Sequence, residues 1–368
     1  MSNTIIKEYL TKRLFFKLRD KAIKEHELTY LFWECTLRCN LSCLHCGSDC
    51  LSDSSVKDMP KEDFIKVLDD IKKNNPDKKL FVCITGGEPL LRKDLEDVGR
   101  EIVKRGFSWG IVTNGLFLTE ERFNSLVSAG MLSISVSLDG LEEDHNYLRR
   151  NPKSFENVSK AIDFIVKQSK KNPKFLYDVI TCVHDENFKN LEKIRNYLFD
   201  KNVEFWRIFS IWPEGRASKT GIKLSFEKYT QLLDFIAETN TFKNSNDKKI
   251  SCSYSCEGYL GRYERKVRKN FFFCIAGVHV ASVMCNGDVT GCLSIRNKDF
   301  IQGNIYTEYF SDIWENQFTN MRNREWAKVG QCKHCKQWKS CLGNGIHLHS
   351  DMKSEPCRCH YRLIKGGK

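Results

Sequence analysis

Three cysteines within eight positions are the residues of this chain whose types and spacing could do chemistry. Cys39, Cys43 and Cys46 follow the pattern Cys-x3-Cys-x2-Cys. A cubane iron-sulfur cluster usually takes one thiolate at each of its four irons, so three thiolates leave one iron open to another ligand. The spacing therefore predicts a [4Fe-4S] cluster with an open iron at which a reaction can begin.

Clustered cysteines also form zinc sites and disulfide frameworks. Zinc sites usually combine two Cys-x2-Cys pairs, and disulfide frameworks are typical of short secreted chains. This chain has 368 residues and 17 cysteines, and residues 1–24 lack the apolar core of a signal peptide. We therefore expect thiolates in a reducing, cytoplasmic setting, which favours an iron-sulfur cluster over both alternatives.

The charge pattern and the hydropathy of the chain disfavour two classes of protein, those that bind nucleic acid and those that span a membrane. The formal net charge is +12, but the lysines are dispersed over helix faces and do not form one tract with interleaved aromatic residues. Dispersed lysines usually form solvated surface, so the pattern disfavours nucleic acid and would suit an acidic peptide or a lipid head group. No run of 18 apolar residues is present, so we expect no membrane span.

The cysteines must be positioned by regular elements, and short apolar runs alternate with amphipathic segments along the chain. The predicted strands are 28–34, 80–85, 108–113, 132–138, 176–183 and 204–211. The predicted helices are 60–73, 95–105, 120–129, 155–169, 187–199 and 226–238. Successive β/α units form parallel strands with right-handed crossovers, which predicts an α/β fold, an incomplete (β/α)6 TIM-like barrel. Its functional groups should lie at the C-terminal ends of the strands.

Polar motifs follow three of the predicted strands. Thr-Gly-Gly-Glu-Pro at 85–89 comes directly after the second strand, where its glycines would let a ligand approach the backbone and Glu88 offers a carboxylate. Asn114 follows the third strand, and Ser137 lies near the end of the fourth. Each motif alone is also compatible with a simple turn. Together with the three cysteines, they predict a functional rim.

The order of these motifs resembles the radical S-adenosylmethionine (SAM) superfamily over about residues 28–238. The resemblance implies a [4Fe-4S] cluster on Cys39, Cys43 and Cys46, with SAM chelating the open iron through its amino and carboxylate groups. Reductive cleavage of SAM would yield a 5′-deoxyadenosyl radical that abstracts hydrogen from the substrate. A flavodoxin or ferredoxin would be a suitable reductant.

The same resemblance implies roles for the polar residues of the rim. The turn at 85–88 would receive the methionine ammonium group, and Ser137 and Arg149 would hold the methionine carboxylate or the ribose. His45 would stack on adenine or donate a hydrogen bond to a nearby carbonyl. The residues implied to bind SAM are His45, Thr85, Gly86, Gly87, Glu88, Asn114, Ser137 and Arg149.

The composition changes after the sixth predicted unit. Residues 241–249 are polar, residues 258–270 are strongly basic, and cysteines, glycines and aromatic residues dominate the remainder. We predict a basic helical extension at 1–27, with one or two helices, and a partial barrel at 28–245. A linker at 246–270 and a cysteine-rich domain at 271–368 would follow.

The cysteine-rich region resembles the SPASM extension of peptide-modifying radical SAM enzymes, which carries two auxiliary [4Fe-4S] clusters. The matching pattern contains Gly-x4-Cys and Cys-x2-Cys-x5-Cys, and the implied ligands are Cys274, Cys292, Cys332, Cys335, Cys341, Cys357 and Cys359. By analogy, Cys357 would complete an outer cluster with the Cys-x2-Cys-x5-Cys residues. Cys274 and Cys292 would begin an inner cluster.

This chain departs from the SPASM pattern at Gly345, where the family usually has another cysteine. The inner site could stay open, hold a smaller cluster or be absent, or another thiol could serve as ligand. The candidates are Cys252, Cys256, Cys285 and Cys359. Other cysteines are interpreted as structural or as outside the motif: Cys35, Cys50, Cys83 and Cys182.

The resemblance favours a radical SAM maturase that crosslinks, epimerises or oxidises a peptide or protein. Leu293 follows Cys292 where sulfatase-maturing members place an aspartate base, which disfavours that activity. The alternatives are an enzyme acting on a small molecule such as a tetrapyrrole or cofactor precursor, and a degenerate cluster protein that only binds partners. Intact cluster cysteines argue against the last.

Substrate recognition is the least determined property of this sequence. Many relatives carry a leader-binding domain of some eighty residues, but only about 27 residues precede the first predicted strand here. Leader recognition would then require a separate protein or another surface. Trp212, Glu214 and Arg216 follow the sixth strand at the rim, where they would contact substrate or support the structure.

Overall fold

A single ten-stranded sheet organises the structure, a computed structural model that describes residues 3–211, 214–255 and 257–366. Trp212 and Cys256 lie outside these described residues. The strands are β1 Tyr30–Glu34, β2 Phe81–Thr85, β3 Ser108–Thr113, β4 Met131–Ser137, β5 Leu176–Val183, β6 Phe205–Ser210, β7 Ser251–Tyr254, β8 Val280–Val283, β9 Asp288–Thr290 and β10 Gly303–Asn304.

The strands β1 to β7 are parallel and lie side by side in chain order. At the other edge, β8 pairs in parallel with β1, and β9 and β10 continue the sheet in antiparallel orientation. The cysteine-rich region therefore shares its sheet with the barrel. The predicted α/β class, a partial barrel of parallel strands followed by a small cysteine-rich domain, is confirmed.

Four strands, β7 to β10, were not predicted from the sequence, and β7 is the one that extends the barrel. The strand β7 pairs with β6 inside residues 246–270, which the sequence pattern assigned to a linker, so seven and not six parallel strands follow one another in chain order from β1. This strand has four residues, two of them serines, and its burial alternates between half-buried and buried positions. So short an alternating segment lacks the apolar run by which the other strands are recognised.

The helices alternate with the strands and cover the sheet. They are α1 Asn3–Glu25, α2 Lys61–Asn74, α3 Leu95–Lys104, α4 Glu120–Ser128, α5 Glu142–Arg149, α6 Ser154–Lys171, α7 Asp185–Phe188, α8 Leu191–Asp200, α9 Arg216–Thr220, α10 Phe226–Thr241, α11 Phe310–Asn316, α12 Thr319–Arg322, α13 Trp338–Cys341 and α14 His360–Ile364. The predicted helix 187–199 is split into α7 and α8, and the short α5 was not predicted. Among the described residues, no helix combines the length and the apolar character needed to cross a membrane.

The core lies between the sheet and these helices. Leu31 and Trp33 of β1 are fully buried, and Trp33 stacks on Phe64 of α2 with ring centroids 4.3 Å apart. Every second residue of a strand faces the opposite side of the sheet. On that side Asp178 and Arg207 form an ion pair. The packed helix layer fixes the strands, and the strands in turn fix the loops at their C-terminal ends.

Candidate active site

The three motif cysteines lie in the loop that follows β1, and Arg216 holds this loop in place. The Arg216 guanidinium donates from Nε to the carbonyl of Cys43 and from Nη2 to that of Cys50, each at 2.8 Å. Its backbone N–H donates to the carbonyl of Cys46 at 2.9 Å. Of the two roles considered for Arg216, the structure shows a supporting one.

The Gly-Gly turn after β2 packs directly on the chain that leads into the cysteine loop. Gly87 N donates to Thr36 O at 2.7 Å, and the next residue donates to Arg38 O at 2.9 Å. A Cβ at Gly86, where φ is 140°, would lie 2.2 Å from Thr36 O, and one at Gly87 would lie 2.1 Å from Arg38 O. Both glycines are therefore required by the close approach of two backbone segments.

Glu88 is fully buried and bonded within the protein. Its Oε1 accepts hydrogen bonds from Thr113 Oγ1 at 2.7 Å and from Leu90 N at 3.1 Å, and Oε2 accepts one from Asn114 N at 2.8 Å. Burial raises the pKa of Glu88 to about 7 although these donors oppose the shift. The carboxylate thus fastens the end of β3 to the end of β2, whereas the resemblance had assigned it to the SAM ammonium group.

A cavity of about 780 Å³ lies between the rim of the barrel and the C-terminal region. The cysteine loop and most of the predicted SAM residues line it, namely Cys39, Cys43, His45, Cys46, Thr85, Gly86, Gly87, Asn114, Ser137 and Arg149. The opposite wall consists of residues from the cysteine-rich region, among them Leu293, Arg296, His347 and His349. Glu88 is absent from this lining. The structure therefore brings together every predicted SAM residue except that one.

Each of the three cysteine sulfurs has at least one hydrogen-bond donor. Asn114 Nδ2 lies 3.8 Å from Cys39 Sγ, and Arg149 Nη1 lies 3.8 Å from Cys43 Sγ. The thiol of Cys50 donates to Cys46, and this hydrogen bond lowers the pKa of Cys46 to about 6. Donors of this kind tune the reduction potential of a cluster. Cys50 was set aside from the sequence because its spacing matches no cluster motif.

Asp139 orients two of the predicted SAM residues. Arg149 contacts its Oδ2 through Nε at 2.7 Å and through Nη2 at 2.6 Å, and His45 Nε2 lies 3.8 Å from the same oxygen. Burial alone would raise the pKa of Asp139, but Arg149 holds it at about 2. Burial lowers the pKa of His45 to about 4. The sequence signal for Asp139 was its place directly after the fourth strand.

The segment after Cys292 contacts the barrel through an ion pair and a hydrogen bond. Arg296 forms an ion pair with Glu34, a buried residue at the end of β1, and donates to Ser48 Oγ at 2.9 Å. These contacts place Leu293 in the wall of the cavity. A leucine there provides no base.

The C-terminal thiols group differently from the analogy. Cys332, Cys335, Cys341 and Cys359 lie close enough for their charges to interact. Burial raises the pKa of Cys332 to about 11 and that of Cys341 to about 12, and the neighbouring thiols add to both shifts. Cys357 is exposed and its thiol donates to a backbone carbonyl at 2.8 Å. The charge of Cys359 therefore acts on Cys332 and Cys341, whereas Cys357 is exposed and bonded to the backbone.

The remaining candidate ligands are dispersed. Cys274 and Cys292 are half-buried against the hydrophobic core. Cys252 is buried on β7, and Cys285 is buried beside β1, where its thiol donates to Lys57 O at 3.2 Å. Glu214 is exposed at the edge of the cavity.

Two family models match the chain in the order in which its cysteine motifs occur. The radical SAM superfamily model matches residues 33–198, and the SPASM model, described as an iron-sulfur cluster-binding domain, matches residues 274–336. The first range contains the cavity-lining cysteine loop, and the second contains the β8 to β10 extension of the sheet.

Known relatives extend over most of the chain. An AdoMet-dependent heme synthase from Methanosarcina barkeri is 27% identical over 348 residues, which is 90% of this chain and 95% of that protein. The mycofactocin maturase MftC from Mycobacterium tuberculosis is 25% identical over 316 residues, 85% of this chain and 77% of that protein. The names of these two relatives point to different products, heme and mycofactocin.

The fold is also similar to that of a solved enzyme. The structure of Streptococcus suis SuiB bound to S-adenosylmethionine superposes with a TM-score of 0.70 at 15% identity and covers 92% of this chain and 80% of SuiB. The same architecture therefore occurs in a protein seen with SAM. The chain is an enzyme whose cofactors are SAM, a [4Fe-4S] cluster and one or two auxiliary iron-sulfur clusters. It belongs to the radical SAM superfamily and carries a SPASM domain.

Proposed function

We propose that Cys39, Cys43 and Cys46 hold the [4Fe-4S] cluster and that the adjoining rim holds SAM. The donor set fits, because the three thiols share one loop, line one cavity and each receive a hydrogen bond. When bound, the cluster and SAM supply a 5′-deoxyadenosyl radical that abstracts hydrogen from the substrate. The substrate would occupy the part of the cavity that faces the SPASM domain.

The residues of the rim would hold SAM by complementary charge and hydrogen bonding. The half-buried backbone of Thr85, Gly86 and Gly87 would accept hydrogen bonds from the ammonium group. The Arg149 guanidinium, oriented by Asp139, would attract the carboxylate. Neutral His45, Asn114 and the Ser137 hydroxyl complete this wall. Glu88 would act indirectly, because it fixes the turn that carries Asn114.

The charges of the cavity favour a peptide or protein substrate. Arg149 and Arg296, the arginines of the described lining, are both in ion pairs within the protein. Burial lowers the pKa of His45 and of His347 to about 4, so both are neutral at pH 7. Glu214 adds an exposed acidic group. A polycarboxylate would meet no unpaired cation there, whereas a peptide segment binds through backbone hydrogen bonds.

Two comparisons support this substrate class. MftC is a maturase, and SuiB has been solved with its precursor peptide SuiA, in a structure that superposes with a TM-score of 0.69. The reaction would be a crosslink, an epimerisation or an oxidation of a side chain. A flavodoxin or ferredoxin would supply the electron, and a separate protein would recognise a leader peptide.

A second candidate is oxidation of an iron tetrapyrrole, because the heme synthase relative aligns over 95% of its own length. Such a substrate carries several carboxylates. Arg149 is assigned to SAM, so binding of the tetrapyrrole carboxylates would require Arg296 to exchange its internal partner for the ligand, which adds the cost of leaving Glu34 unpaired.

The chemistry is tested by anaerobic reconstitution of the full chain with iron and sulfide, followed by addition of dithionite and SAM. We expect 5′-deoxyadenosine to form, measured by liquid chromatography and mass spectrometry. The variant with Cys39, Cys43 and Cys46 replaced by alanine should form none. Cleavage of SAM by that triple variant would overturn the proposal.

The substrate class is tested by two additions to the same reaction. In D2O a short peptide encoded beside the gene should change mass in the presence of SAM, because a crosslink or an oxidation removes hydrogen and an epimerisation exchanges one hydrogen for deuterium. Iron coproporphyrin should keep its Soret band. A shifted Soret band together with unmodified peptide would instead establish the tetrapyrrole candidate. Formation of 5′-deoxyadenosine in both reactions confirms that the enzyme sample is active.

A further inference from the structure

The helix α1 presents an apolar stripe to solvent. Leu10, Leu14 and Leu18 follow one another at intervals of four residues, so they share one face of the helix, where they are 55%, 57% and 57% exposed. The opposite face packs on the protein, with the ring centroids of Phe15 and Phe271 5.3 Å apart. An exposed apolar stripe on a helix that is already packed on its other side is typical of a protein contact.

Exposed cations accompany this stripe, namely Arg13 and Lys17. Among the described side chains, neither of them forms an ion pair. Two exposed acids in the second half of the helix are paired within it, because Asp20 contacts Arg19 at 2.7 Å and Glu25 lies 3.6 Å from Lys21. The uncompensated charge beside the leucines is therefore positive.

The helix lies against the loop that carries the Cys-x2-Cys-x5-Cys motif. Arg19 Nη1 donates to Lys339 O at 2.6 Å, a contact between residues 320 positions apart. Lys339 Nζ in turn lies 5.2 Å from the ring centroid of Phe16. These contacts join the outer surface of α1 to the surface of the cysteine loop.

The cysteine loop is also basic. Residues 326–350 contain no Asp or Glu, and Glu355 packs beside Gly330 at the start of the loop. Cys335 is half-buried. The exposed lysines around it are Lys333, Lys336 and Lys339. Positive charge thus surrounds a cysteine that the SPASM resemblance assigns to an auxiliary cluster.

The position and chemistry of this surface indicate its partner. None of its described residues lines the cavity of the candidate active site, so the surface is not placed to hold the reacting part of the substrate. The chemistry proposed for that cavity consumes one electron from outside the protein, and flavodoxins and ferredoxins, which carry single electrons, are acidic. Cations steer an acidic protein towards a surface, and exposed leucines give it apolar contact. Redox encounters bury small areas, so one helix face and one loop are sufficient.

We propose that this surface docks a small acidic electron-carrier protein, a flavodoxin or ferredoxin. The basic face, as we name it, consists of Leu10, Arg13, Leu14, Lys17, Leu18, Lys333, Lys336 and Lys339. The carrier would give up one electron, and SAM would take it up as its carbon-sulfur bond breaks into methionine and the 5′-deoxyadenosyl radical. This inference rests on the function proposed above, but docking itself is measured without turnover.

Titration calorimetry of a purified flavodoxin with the reconstituted full chain tests docking. The wild-type affinity should fall as NaCl is added, because salt screens exposed charges. A basic-face variant, Arg13→Glu, Lys17→Glu, Lys336→Glu, should bind at least about tenfold more weakly. The control variant carries the same change in net charge at exposed lysines on helices of the barrel, Lys73→Glu, Lys170→Glu, Lys193→Glu, and should bind like the wild type. Equal affinities of the two variants, or no binding to the wild type, would overturn the inference.

The rate of SAM cleavage separates this inference from the proposed function. With dithionite, a small reductant that needs no docking, both variants should form 5′-deoxyadenosine at the wild-type rate. With limiting reduced flavodoxin, the basic-face variant should be about tenfold slower than the control variant. Absence of cleavage by the wild type with dithionite would overturn the proposed function, whereas equal flavodoxin-driven rates in the two variants would overturn only the docking site.

Hydrogen exchange on the wild-type protein maps the contact without any variant, so it is decisive even if the basic-face variant does not fold. Flavodoxin should slow exchange in residues 10–18 and 333–339. Slower exchange confined to other segments would contradict the assignment. If an acidic peptide encoded beside the gene protects these residues and flavodoxin does not, the face belongs to substrate recognition and the inference is wrong.

Discussion

Glu88 shows that a residue in a ligand-binding motif can support the site indirectly, by holding the ends of two strands together. Its two carboxylate oxygens accept three hydrogen bonds from residues at the ends of β2 and β3, and the side chain is fully buried. Arg149 differs, because it reaches the cavity while Asp139 and the sulfur of Cys43 fix its orientation. Both residues were predicted to bind SAM, but only the second lines the cavity proposed for SAM.

Replacement of Glu88 by glutamine should change the pH dependence of stability. The pKa of Glu88 rises from 4.5 to about 7 on folding, so this group favours the folded state at low pH, and the contribution is lost as pH rises from 4.5 towards 7. Relative to Glu88→Gln, the wild-type free energy of unfolding should fall by about 3 kcal/mol over that range. Urea denaturation at several pH values measures it, and the exposed Glu143→Gln serves as control. A difference that does not vary with pH would contradict the prediction.

Substitution of Arg149 by lysine should weaken SAM binding. Lysine keeps the positive charge but lacks the planar guanidinium that contacts both Asp139 and the Cys43 sulfur. We therefore expect about a tenfold higher Kd for SAM and slower formation of 5′-deoxyadenosine. Equilibrium dialysis with labelled SAM measures the first effect. Arg150→Lys, at the exposed neighbouring position, should bind SAM normally. Equal affinity of both variants would refute a role for Arg149.

At the scale of elements, the site depends on the contact between the cysteine loop and the turn after β2. The turn approaches the loop so closely that two consecutive glycines are needed, and α9 holds the other side of the loop through Arg216. The cysteines therefore obtain their positions from two elements that are distant in the sequence. Their spacing alone would leave the loop free to adopt other shapes.

Gly87→Ala should disturb the cluster site without touching a cysteine. The new methyl group would lie 2.1 Å from Arg38 O and would push the loop away from the turn. We expect the reconstituted protein to lose most of the iron of the SAM-site cluster. Gly47→Ala, in the same loop with open space around its Cβ, should keep its iron. Full iron content in Gly87→Ala would show that the contact is dispensable.

At the scale of the whole molecule, the barrel and the SPASM domain form one sheet and one cavity. The strand β8 pairs with β1, and the ion pair of Arg296 with Glu34 links the segment after Cys292 to the barrel. The substrate side of the cavity is therefore formed by a domain that follows the barrel in sequence. Any change that loosens this junction should affect both stability and catalysis.

Arg296→Ala should destabilise the protein because it leaves Glu34 buried without its cationic partner. Breaking a buried pair costs several kcal/mol, and since Arg296 is one-third exposed we expect a loss of about 2 kcal/mol in the free energy of unfolding. Denaturant titration measures it. Lys298→Ala, an exposed residue of the same segment, is the control. If both variants unfold at the same denaturant concentration, the ion pair makes no net contribution.

Local patterns of the sequence were sufficient to predict the first six strands and the polar motifs at their ends. Alternating apolar runs predicted β1 to β6, with the bounds of β3 and β5 coinciding with those in the structure, and the cysteine spacing predicted the chemistry. These features are local, because hydrophobic periodicity and motif spacing are properties of neighbouring residues. They were enough to indicate the superfamily.

The tertiary structure decided which of the distant residues meet. Arg216 supports Cys43 across 173 positions, and Arg296 pairs with Glu34 across 262. Contacts of this kind have no periodic signature, because they depend on how complete elements pack against one another. The sequence by itself therefore determined the superfamily and its radical chemistry, and the packing determined which residues support that chemistry.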